Sequence, residues 1–152
     1  MNSILLVDDE AAICVEFART LEGLGFKVEV APTVESGLSR AETARFDAIL
    51  VEFNVRSERG VHPKSGNGLK VIRQLRALDI PVPVLMFTAM EGEFYETASL
   101  EAGADDFLPK TASIPSLVSR IRAHICRHEQ GLDKRTKSER ISILPPAAPV
   151  AD

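Results

Sequence analysis

The sequence predicts an α/β fold of the doubly wound type, with a five-stranded parallel sheet in the order 2-1-3-4-5 and helices on both faces. The first basis is that short apolar runs alternate with segments of helical periodicity along the chain. The second is that crossovers between parallel strands are almost always right-handed, which leaves few topologies open to such an alternation. Ligands of these sheets bind beyond the carboxyl ends of the strands, where several of the apolar runs here end in polar residues.

The first third of the chain contains two predicted strands and two predicted helices. Residues 4–7 form the first strand, and the following helix has an apolar face at three- and four-residue spacing: Ile13, Phe17, Leu21 and Leu24. Residues 26–31 form the second strand, which alternates apolar and charged residues and should therefore lie near a sheet edge. Pro32-Thr33 opens the second helix, with an apolar side of Val34, Leu38 and Ala41.

The middle of the chain holds the third strand, a long loop and the third helix. The strand covers residues 47–53, and the loop covers residues 54–67. Most connections between a strand and a helix have about 2–6 residues, so this loop is either functional or a tolerated surface insertion. In the third helix, Leu69, Ile72 and Leu75 form the apolar face, and Arg73 and Arg76 are expected to face water.

The last predicted elements run from residue 84 to residue 127. Residues 84–87 form the fourth strand, and the fourth helix covers about 91–102, with Phe94, Ala98 and Ala102 as its apolar stripe. A fifth strand lies in residues 104–109, before Lys110. The fifth helix is the clearest, because Ser113 can cap it, Pro115 suits its first turn, and four apolar residues line one face: Leu117, Val118, Ile121 and Ile125.

Length and composition suit one domain followed by a tail. The 152 residues divide into a domain at 1–128 and a charged, then proline-rich segment at 129–152, which we expect to be disordered because it cannot build a core. No DNA-binding or enzymatic module is expected after it. The net charge of −4 argues against direct binding of nucleic acid.

Neither a signal peptide nor a membrane-spanning run is recognisable, so we expect a cytoplasmic protein that does not bind membranes. Cys14 and Cys126 are isolated thiols without a C-x-x-C spacing. They should lie at opposite ends of the fold, so we expect two free, buried and unreactive cysteines.

Polar residues follow four of the apolar stretches, at the points where strands should end. They are Asp8-Asp9, Glu52, Thr88 and Lys110. Because the carboxyl ends of parallel strands meet at one edge, these side chains should line one crevice. Three acids, a hydroxyl and an ammonium together suit a divalent cation and a phosphoryl group.

These pieces, with their order and spacing, resemble the receiver domain of two-component response regulators, a flavodoxin-like fold. The matching stretches are residues 5–10, 46–52, 87–89 and 103–110, and the resemblance extends to about residue 127. In that family the residue at the end of the third strand is the aspartate that accepts phosphate. Here this position holds Glu52, so the resemblance implies a signalling protein, not an enzyme, that is altered at its central residue.

The resemblance also implies a set of metal ligands. Asp9 would bind Mg²⁺ directly, Asp8 through a water molecule, and the Asn54 carbonyl would be a further ligand, with Glu52 as the remaining acid. We expect Glu52 to weaken this binding. Thr88 and Lys110 would contact the phosphoryl group, and Phe107 would either pack in the core or act as the family's aromatic switch residue.

The extra methylene of Glu52 is the feature that decides the expected mechanism. It moves the carboxylate outward by about 1.5 Å, one C–C bond. Phosphoryl transfer depends on positioning, and a misplacement of about 1 Å can cost ~10²-fold in rate. Phosphorylation should therefore be slow or absent, although the longer acid could reach Lys110 and Thr88 and imitate the activated state.

Three functions remain open at this point. The first is a stand-alone receiver that acts by protein–protein contact with a histidine kinase, a phosphotransfer protein or a downstream effector, with phosphorylation abolished or imitated by Glu52. The second is a conventional phospho-accepting receiver or phosphotransfer protein. The third is a Mg²⁺-dependent phosphatase-like enzyme, disfavoured because there is no DxD arrangement after the first strand and no cap domain.

A homodimer or a partner interface is expected on the face formed by the fourth helix, the fifth strand and the fifth helix, the face that the family uses. Its charged and aromatic residues would be Glu91, Glu93, Tyr95, Glu96, Arg120 and Arg122. Acids on one helix and bases on the other suit a symmetric pairing in which each acid meets a base of the partner.

Overall fold

The computed structural model describes residues 1–60 and 65–142, with residues 133–142 described by their backbone alone. Strands and helices alternate through these residues. They are β1 (Ser3–Val7), α1 (Ala11–Gly23), β2 (Lys27–Ala31), α2 (Val34–Thr43), β3 (Ala48–Val51), α3 (Asn67–Ala77), β4 (Val84–Thr88), α4 (Glu93–Ala102), β5 (Asp106–Pro109) and α5 (Ile114–Ser142).

The strands form one parallel sheet in the order β2-β1-β3-β4-β5, which confirms the predicted fold class and topology. The strands β1, β3 and β4 lie inside the sheet and are almost wholly buried, as their continuous apolar runs require. The alternating strand β2 is at one edge, as predicted, and four of its five residues are partly or fully exposed.

Two apolar cores cover the two faces of the sheet. One contains residues of α2, α3 and α4, including Val71, Ile72 and Leu75. The other contains residues of α1 and α5, including Leu21, Leu117 and Ile121. Successive residues of β1 alternate between the two, since Leu5 and Val7 belong to the first core and Ile4 and Leu6 to the second. This packing fixes the strand ends and therefore the edge at which polar residues meet.

The prediction that Arg76 faces water is wrong. Its guanidinium donates to the carbonyl oxygens of Gly103 (3.0 Å), Ile80 (3.0 Å) and Val82 (2.9 Å), and to Asp105 Oδ2 (2.8 Å). The loops that enter β4 and β5 leave these oxygens without strand partners. A planar group with five donors can satisfy several of them at once. An apolar stripe cannot reveal such a role, because the residue sits at the margin of the buried face.

The predicted apolar stripe of α4 is also partly wrong. Ala102 is buried as expected, but Phe94 is 72% exposed. Tyr95 and Ser99 turn inward instead, and the Tyr95 ring packs at 5.0 Å from the ring of Phe53. The Ser99 hydroxyl donates to the Tyr95 carbonyl oxygen at 2.6 Å. Because that bond satisfies the hydroxyl within the helix, serine can be buried where a polar residue was not expected.

The helix α5 is longer than predicted, since its backbone continues to Ser142. The backbone of residues 129–142 is helical, and residues 143–152 lie outside the described residues. The division into a domain at 1–128 and a tail at 129–152 stays a prediction. Four residues of the predicted loop at 54–67, residues 61–64, also lie outside the described residues.

Both cysteines are free, as predicted. Cys14 is buried, and burial together with the nearby charge of Asp8 raises the pKa of its thiol to about 11. Cys126 is exposed, so the expectation that both thiols are buried is wrong for this residue. It lies next to Ile125, which takes the inward position of that turn of α5.

Candidate functional site

Four of the predicted polar residues meet at the carboxyl edge of the sheet. Asp8 follows β1, Glu52 follows β3, Thr88 ends β4, and Lys110 follows β5. The parallel pairing of these strands places their last residues side by side, and a bond from the Lys110 amide to the Thr88 carbonyl oxygen (2.8 Å) continues the ladder between β4 and β5. The four side chains form a connected group, which we call the acid pocket.

Lys110 is the cation of the acid pocket. Its Nζ lies 2.7 Å from Asp8 Oδ2 and 3.2 Å from Glu52 Oε2, and the side chain is almost completely buried. Burial alone lowers the pKa of this ammonium. The hydrogen bond to Asp8 and the charges of Glu52 and Asp8 outweigh burial, so the pKa lies above its ordinary value. Lys110 therefore stays charged and joins the ends of β1 and β3.

Glu52 is a second buried acid of the pocket, with 7% of the residue exposed. Its Oε1 accepts a hydrogen bond from the Thr88 hydroxyl at 3.0 Å. Its Oε2 is buried and accepts no hydrogen bond. The contact of this oxygen with Lys110 Nζ is therefore an ion pair whose angle does not suit a hydrogen bond. Burial raises the pKa of this carboxyl above its ordinary value, although Lys110 and Thr88 oppose the shift.

Asp8 is held by the backbone as well as by Lys110. Its residue is 1% exposed, and its Oδ1 accepts a hydrogen bond from the Glu10 amide at 3.0 Å. The Asp8 carbonyl oxygen lies 3.5 Å from the Cys14 thiol. Both carboxylate oxygens of Asp8 are therefore engaged, one by the start of α1 and the other by Lys110.

The remaining predicted residues stand apart from the acid pocket. Asp9 is exposed, and its side chain makes no hydrogen bond or ion pair with the residues that the structure describes. Asn54 is partly buried, and its Oδ1 is buried without a hydrogen-bond partner. Phe107 is partly buried and packs against the core on the α2–α3–α4 side, which fits the packing role that was one of its two expected roles. The sequence pattern points only to the carbonyl of Asn54, and no signal in it marks the side chain.

The arrangement of these groups does not fit a divalent cation. Among the side chains that the structure describes, no three acids, histidines or cysteines are placed to hold one metal ion. The Lys110 ammonium contacts both Asp8 and Glu52, and its single positive charge offsets one of their two negative charges. The oxygens themselves are of the kind that Mg²⁺ prefers, so the disagreement lies in the arrangement and not in the donor atoms.

Comparisons with known proteins agree with this geometry. The family model described as the response regulator receiver domain matches residues 4–122. The chain belongs to the response regulator receiver family. Members of this family are modules of two-component signalling, so the family, the fold and the signalling class all follow from the match.

Relatives with known names extend the comparison. The KDP operon transcriptional regulatory protein KdpE of Escherichia coli is 36% identical over 128 residues, which cover 84% of this chain and 53% of that protein. The alkaline phosphatase synthesis transcriptional regulatory protein PhoP of Bacillus subtilis is also 36% identical, over 84% of this chain and 50% of its own length. The chain thus spans about half the length of these curated relatives.

A solved structure supports the same fold. The CheY-like response regulator receiver domain protein from Methanospirillum hungatei is 25% identical, with a TM-score of 0.75 over 86% of this chain and 98% of its own. In this receiver, residues 1–60 and 65–142 contain no helix that is both long enough and apolar enough to cross a membrane.

The structure corrects one residue of the predicted interface on α4, β5 and α5. Arg122 belongs to the opposite side of α5, because it donates to the Leu24 carbonyl oxygen at 3.2 Å and its guanidinium carbon lies 5.3 Å from the centre of the Phe26 ring. Arg120 does lie beside β5, where it donates to Asp106 at 3.2 Å. Residues two positions apart on a helix lie about 200° apart around its axis, so helical spacing itself places Arg120 and Arg122 on different sides of α5.

Proposed function

We propose that this receiver signals through protein–protein contact, with Glu52 acting as a built-in acid in place of a phosphorylated aspartate. The observation that carries the proposal is the pair of contacts made by the Glu52 carboxylate. One oxygen accepts the Thr88 hydroxyl and the other lies beside the Lys110 ammonium. Those are the two groups that the family resemblance assigns to the phosphoryl group, so the longer acid reaches the contacts that phosphate would otherwise make.

The same contacts oppose ordinary phosphorylation. A nucleophilic carboxylate must approach the phosphorus atom in line, and about 1 Å of misplacement can cost ~10²-fold in rate. The Glu52 carboxylate is buried and turned toward Thr88 and Lys110. An incoming phosphoryl donor would have to displace at least one of these contacts, which adds to the cost of the longer side chain.

We propose that the set Asp8, Asp9, Glu52 and Asn54 binds Mg²⁺ weakly. Two observations support weak binding: the Lys110 ammonium contacts both Asp8 and Glu52 and offsets one of their two negative charges, and Asp9 is exposed. No step of the proposed function depends on the ion.

The partners that suit this proposal are proteins of a two-component system in the cytoplasm: a histidine kinase, a phosphotransfer protein or a downstream effector. The net charge of −4 favours none of the direct nucleic-acid interactions that need a basic face. A homodimer through α4, β5 and α5 stays a prediction, now with Arg120 as the base and Glu91, Glu93 and Glu96 as the acids. Individual exposed pairs there would contribute about 0–1 kcal/mol, so buried area at Phe94 and Tyr95 would have to supply the affinity.

Labelling with radiolabelled acetyl phosphate tests the proposal in three forms of the chain: the unmodified protein, Glu52→Asp and Glu52→Ala. We expect Glu52→Asp to label at least ~10²-fold faster than the unmodified chain, because the carboxylate returns to the family's position. Glu52→Ala should not label at this site. Efficient labelling of the unmodified chain, mapped to Glu52 by mass spectrometry, would instead support a conventional phospho-accepting receiver.

Partner binding by the same three forms separates a working pocket from an inactive one. The proposal expects the unmodified chain to bind its partner without phosphate, and Glu52→Ala to bind less. Equal binding by all three forms would show that the acid pocket has no part in the output.

A further inference from the structure

The loop between β3 and α3 is anchored to α2 directly after it leaves the acid pocket. We call residues 55–59 the strap. Val55 is completely buried and Ser57 is 92% buried, although they belong to a segment that joins two elements at the surface. A long connection that is buried at its first residues is held there by specific contacts and does not move as a free loop.

Glu35, in the first turn of α2, makes the central contacts of the strap. Its Oε1 accepts a hydrogen bond from the Ser57 hydroxyl at 2.6 Å, and its Oε2 accepts one from the Glu58 amide at 2.9 Å. These bonds hold the pKa of Glu35 below its ordinary value, with the Ser57 hydroxyl as the largest cause. A glutamate at a helix surface usually faces solvent or an exposed cation, yet here both oxygens are used by one short segment.

The strap in turn completes the start of α2. The Val34 amide donates to the Arg56 carbonyl oxygen at 3.0 Å, and the Thr33 hydroxyl lies 3.0 Å from Glu58 Oε1. The first amides of a helix have no partners within it, and an acid near them is favourable because of the helix dipole. The strap and the first turn of α2 therefore satisfy each other's polar groups.

On its other side the strap is fixed to α3. The Asn67 side-chain amide donates to the Val55 carbonyl oxygen at 3.1 Å, and the Gly68 amide donates to the Phe53 carbonyl oxygen at 2.8 Å. Phe53 is buried between Glu52 and the strap. Because Phe53 and Val55 are buried and the carbonyl oxygens of both accept hydrogen bonds from α3, the backbone between them has little freedom, so a shift of the strap has to displace the chain that carries Glu52.

We propose that Glu35 is a positioning residue for the acid pocket: by fixing the strap through Ser57 and the Glu58 amide, it holds the backbone of residues 52–54 and so the Glu52 carboxylate. The route runs from α2 through the strap to Glu52 and passes through neither Lys110 nor β5. Only the last step, from the position of Glu52 to signalling, rests on the proposed function.

Amide chemical shifts and hydrogen exchange of three variants test the proposal. Glu35→Ala removes both acceptors, Glu35→Gln keeps one carbonyl oxygen, and Glu42→Ala is the matched control. Glu42 is an exposed glutamate of the same helix, and the described residues give it no side-chain contact. We expect Glu35→Ala to speed exchange of the Val34 amide about tenfold, the loss of roughly one net hydrogen bond. The amides of Asn54, Val55 and Met90 should also shift, the last because it donates to the Thr88 hydroxyl oxygen.

A merely structural role for Glu35 gives a different result. The shifts would then stay within residues 33–36 and 56–59, with Asn54 and Met90 unchanged, and the proposal would be wrong. Glu35→Gln should restore part of the effect of Glu35→Ala, and Glu42→Ala should leave all these amides in place. Equal changes in Glu35→Ala and Glu42→Ala would also overturn the proposal, because they would reflect charge alone.

A second test measures the rate of phosphorylation instead of the amide signals. In the Glu52→Asp background, Glu35→Ala should slow acetyl-phosphate labelling of the folded protein about tenfold or more, because a misplaced nucleophile reacts slowly. An unchanged labelling rate would contradict the positioning role, whatever the change in melting temperature. If Glu52→Asp alone fails to label, the proposed function is wrong. The chemical shifts of the Asn54 and Met90 amides then test the positioning role of Glu35 by themselves.

Discussion

The edge of the sheet at the amino ends of the strands and the edge at their carboxyl ends differ in how completely their polar groups are hydrogen-bonded. At the amino edge, Arg76 donates to three carbonyl oxygens and one carboxylate, and Asp106 accepts from Arg120, His124 and its own neighbour's amide. At the carboxyl edge, three charged groups are buried together, and Glu52 Oε2 and Asn54 Oδ1 accept no hydrogen bond within the described chain. One edge is nearly saturated with hydrogen bonds, and the other is not.

The difference indicates which edge serves stability and which serves function. Buried polar atoms that accept no hydrogen bond cost free energy, and proteins retain them mainly where a site requires them. The carboxyl edge is where the ends of all five parallel strands can contribute side chains to a ligand. We therefore expect changes at the amino edge to lower stability without altering the acid pocket, and changes at the carboxyl edge to do both.

The largest effect is expected at Gly68, where the backbone of α3 approaches the end of β3. A methyl group at this position would overlap the Glu52 carbonyl oxygen and lie 2.9 Å from the Phe53 Cα, and neither backbone atom can move aside. Gly68→Ala should lower the free energy of unfolding by about 3 kcal/mol or more, at the upper end of the cost of overpacking. Urea denaturation of this variant and of the unmodified chain measures the difference in the free energy of unfolding.

The matched control is Gly131→Ala in α5, because among the described residues no atom outside the adjoining helix backbone lies within 4 Å of a methyl group there. It should raise the free energy of unfolding by about 0.5–1 kcal/mol, the usual gain of alanine over glycine in a helix. If Gly68→Ala were as harmless as Gly131→Ala, the close approach at the carboxyl edge would not constrain Glu52.

The next largest effect is expected at Arg76, at the amino edge. Arg76→Ala leaves three carbonyl oxygens and Asp105 without their donor and should cost about 2–3 kcal/mol. Arg73→Ala, in an exposed arginine of the same helix, should cost less than about 0.5 kcal/mol. Acetyl-phosphate labelling of Glu52→Asp should be unchanged by Arg76→Ala at temperatures where the protein is folded. A loss of labelling would show that the two edges are not independent.

A smaller, pH-dependent effect is expected at Asp106. Burial by itself raises the pKa of this carboxyl, but hydrogen bonds from His124, the Phe107 amide and Arg120 outweigh burial, so the pKa lies below its ordinary value of 3.8. A carboxyl with a lowered pKa stabilises the fold above its unfolded pKa, and this contribution disappears as the pH falls through the folded pKa. Asp106→Asn should therefore cost about 1 kcal/mol at neutral pH and progressively less below pH 3.8.

The control for Asp106→Asn is Asp79→Asn, in an exposed aspartate of the same edge. It should change the free energy of unfolding by less than about 0.5 kcal/mol at any pH in this range. A difference between Asp106→Asn and the unmodified chain that stays constant down to strongly acid pH would mean that the carboxylate charge does not stabilise this edge.

Much of the carboxyl edge could be predicted from the sequence, because strand ends can be read from apolar runs. The runs before Asp8, Glu52 and Thr88 are continuous and short, and in a parallel sheet such ends must converge. The sequence also indicates that Glu52 can reach Thr88 and Lys110, because the length of the glutamate side chain is enough to predict these contacts.

The amino edge and the strap could not be predicted in this way. Arg76 and Glu35 are charged residues at helix surfaces, and periodicity places such residues in water by default. Their partners are mostly backbone groups of segments distant in the chain, and a sequence pattern says nothing about which carbonyl or amide is left unpaired. The burial of Ser99 was missed for the same reason, because its partner is a backbone carbonyl oxygen.

A crystal structure of the unmodified chain grown in excess Mg²⁺ tests the central claim most directly, because it shows what the Glu52 carboxylate contacts. The account predicts that one oxygen accepts the Thr88 hydroxyl, that the other stays beside Lys110 Nζ at about the present 3.2 Å, and that no metal ion separates them. A Mg²⁺ ion bound by Glu52 and Asp9, with Lys110 displaced from the carboxylate, would contradict it.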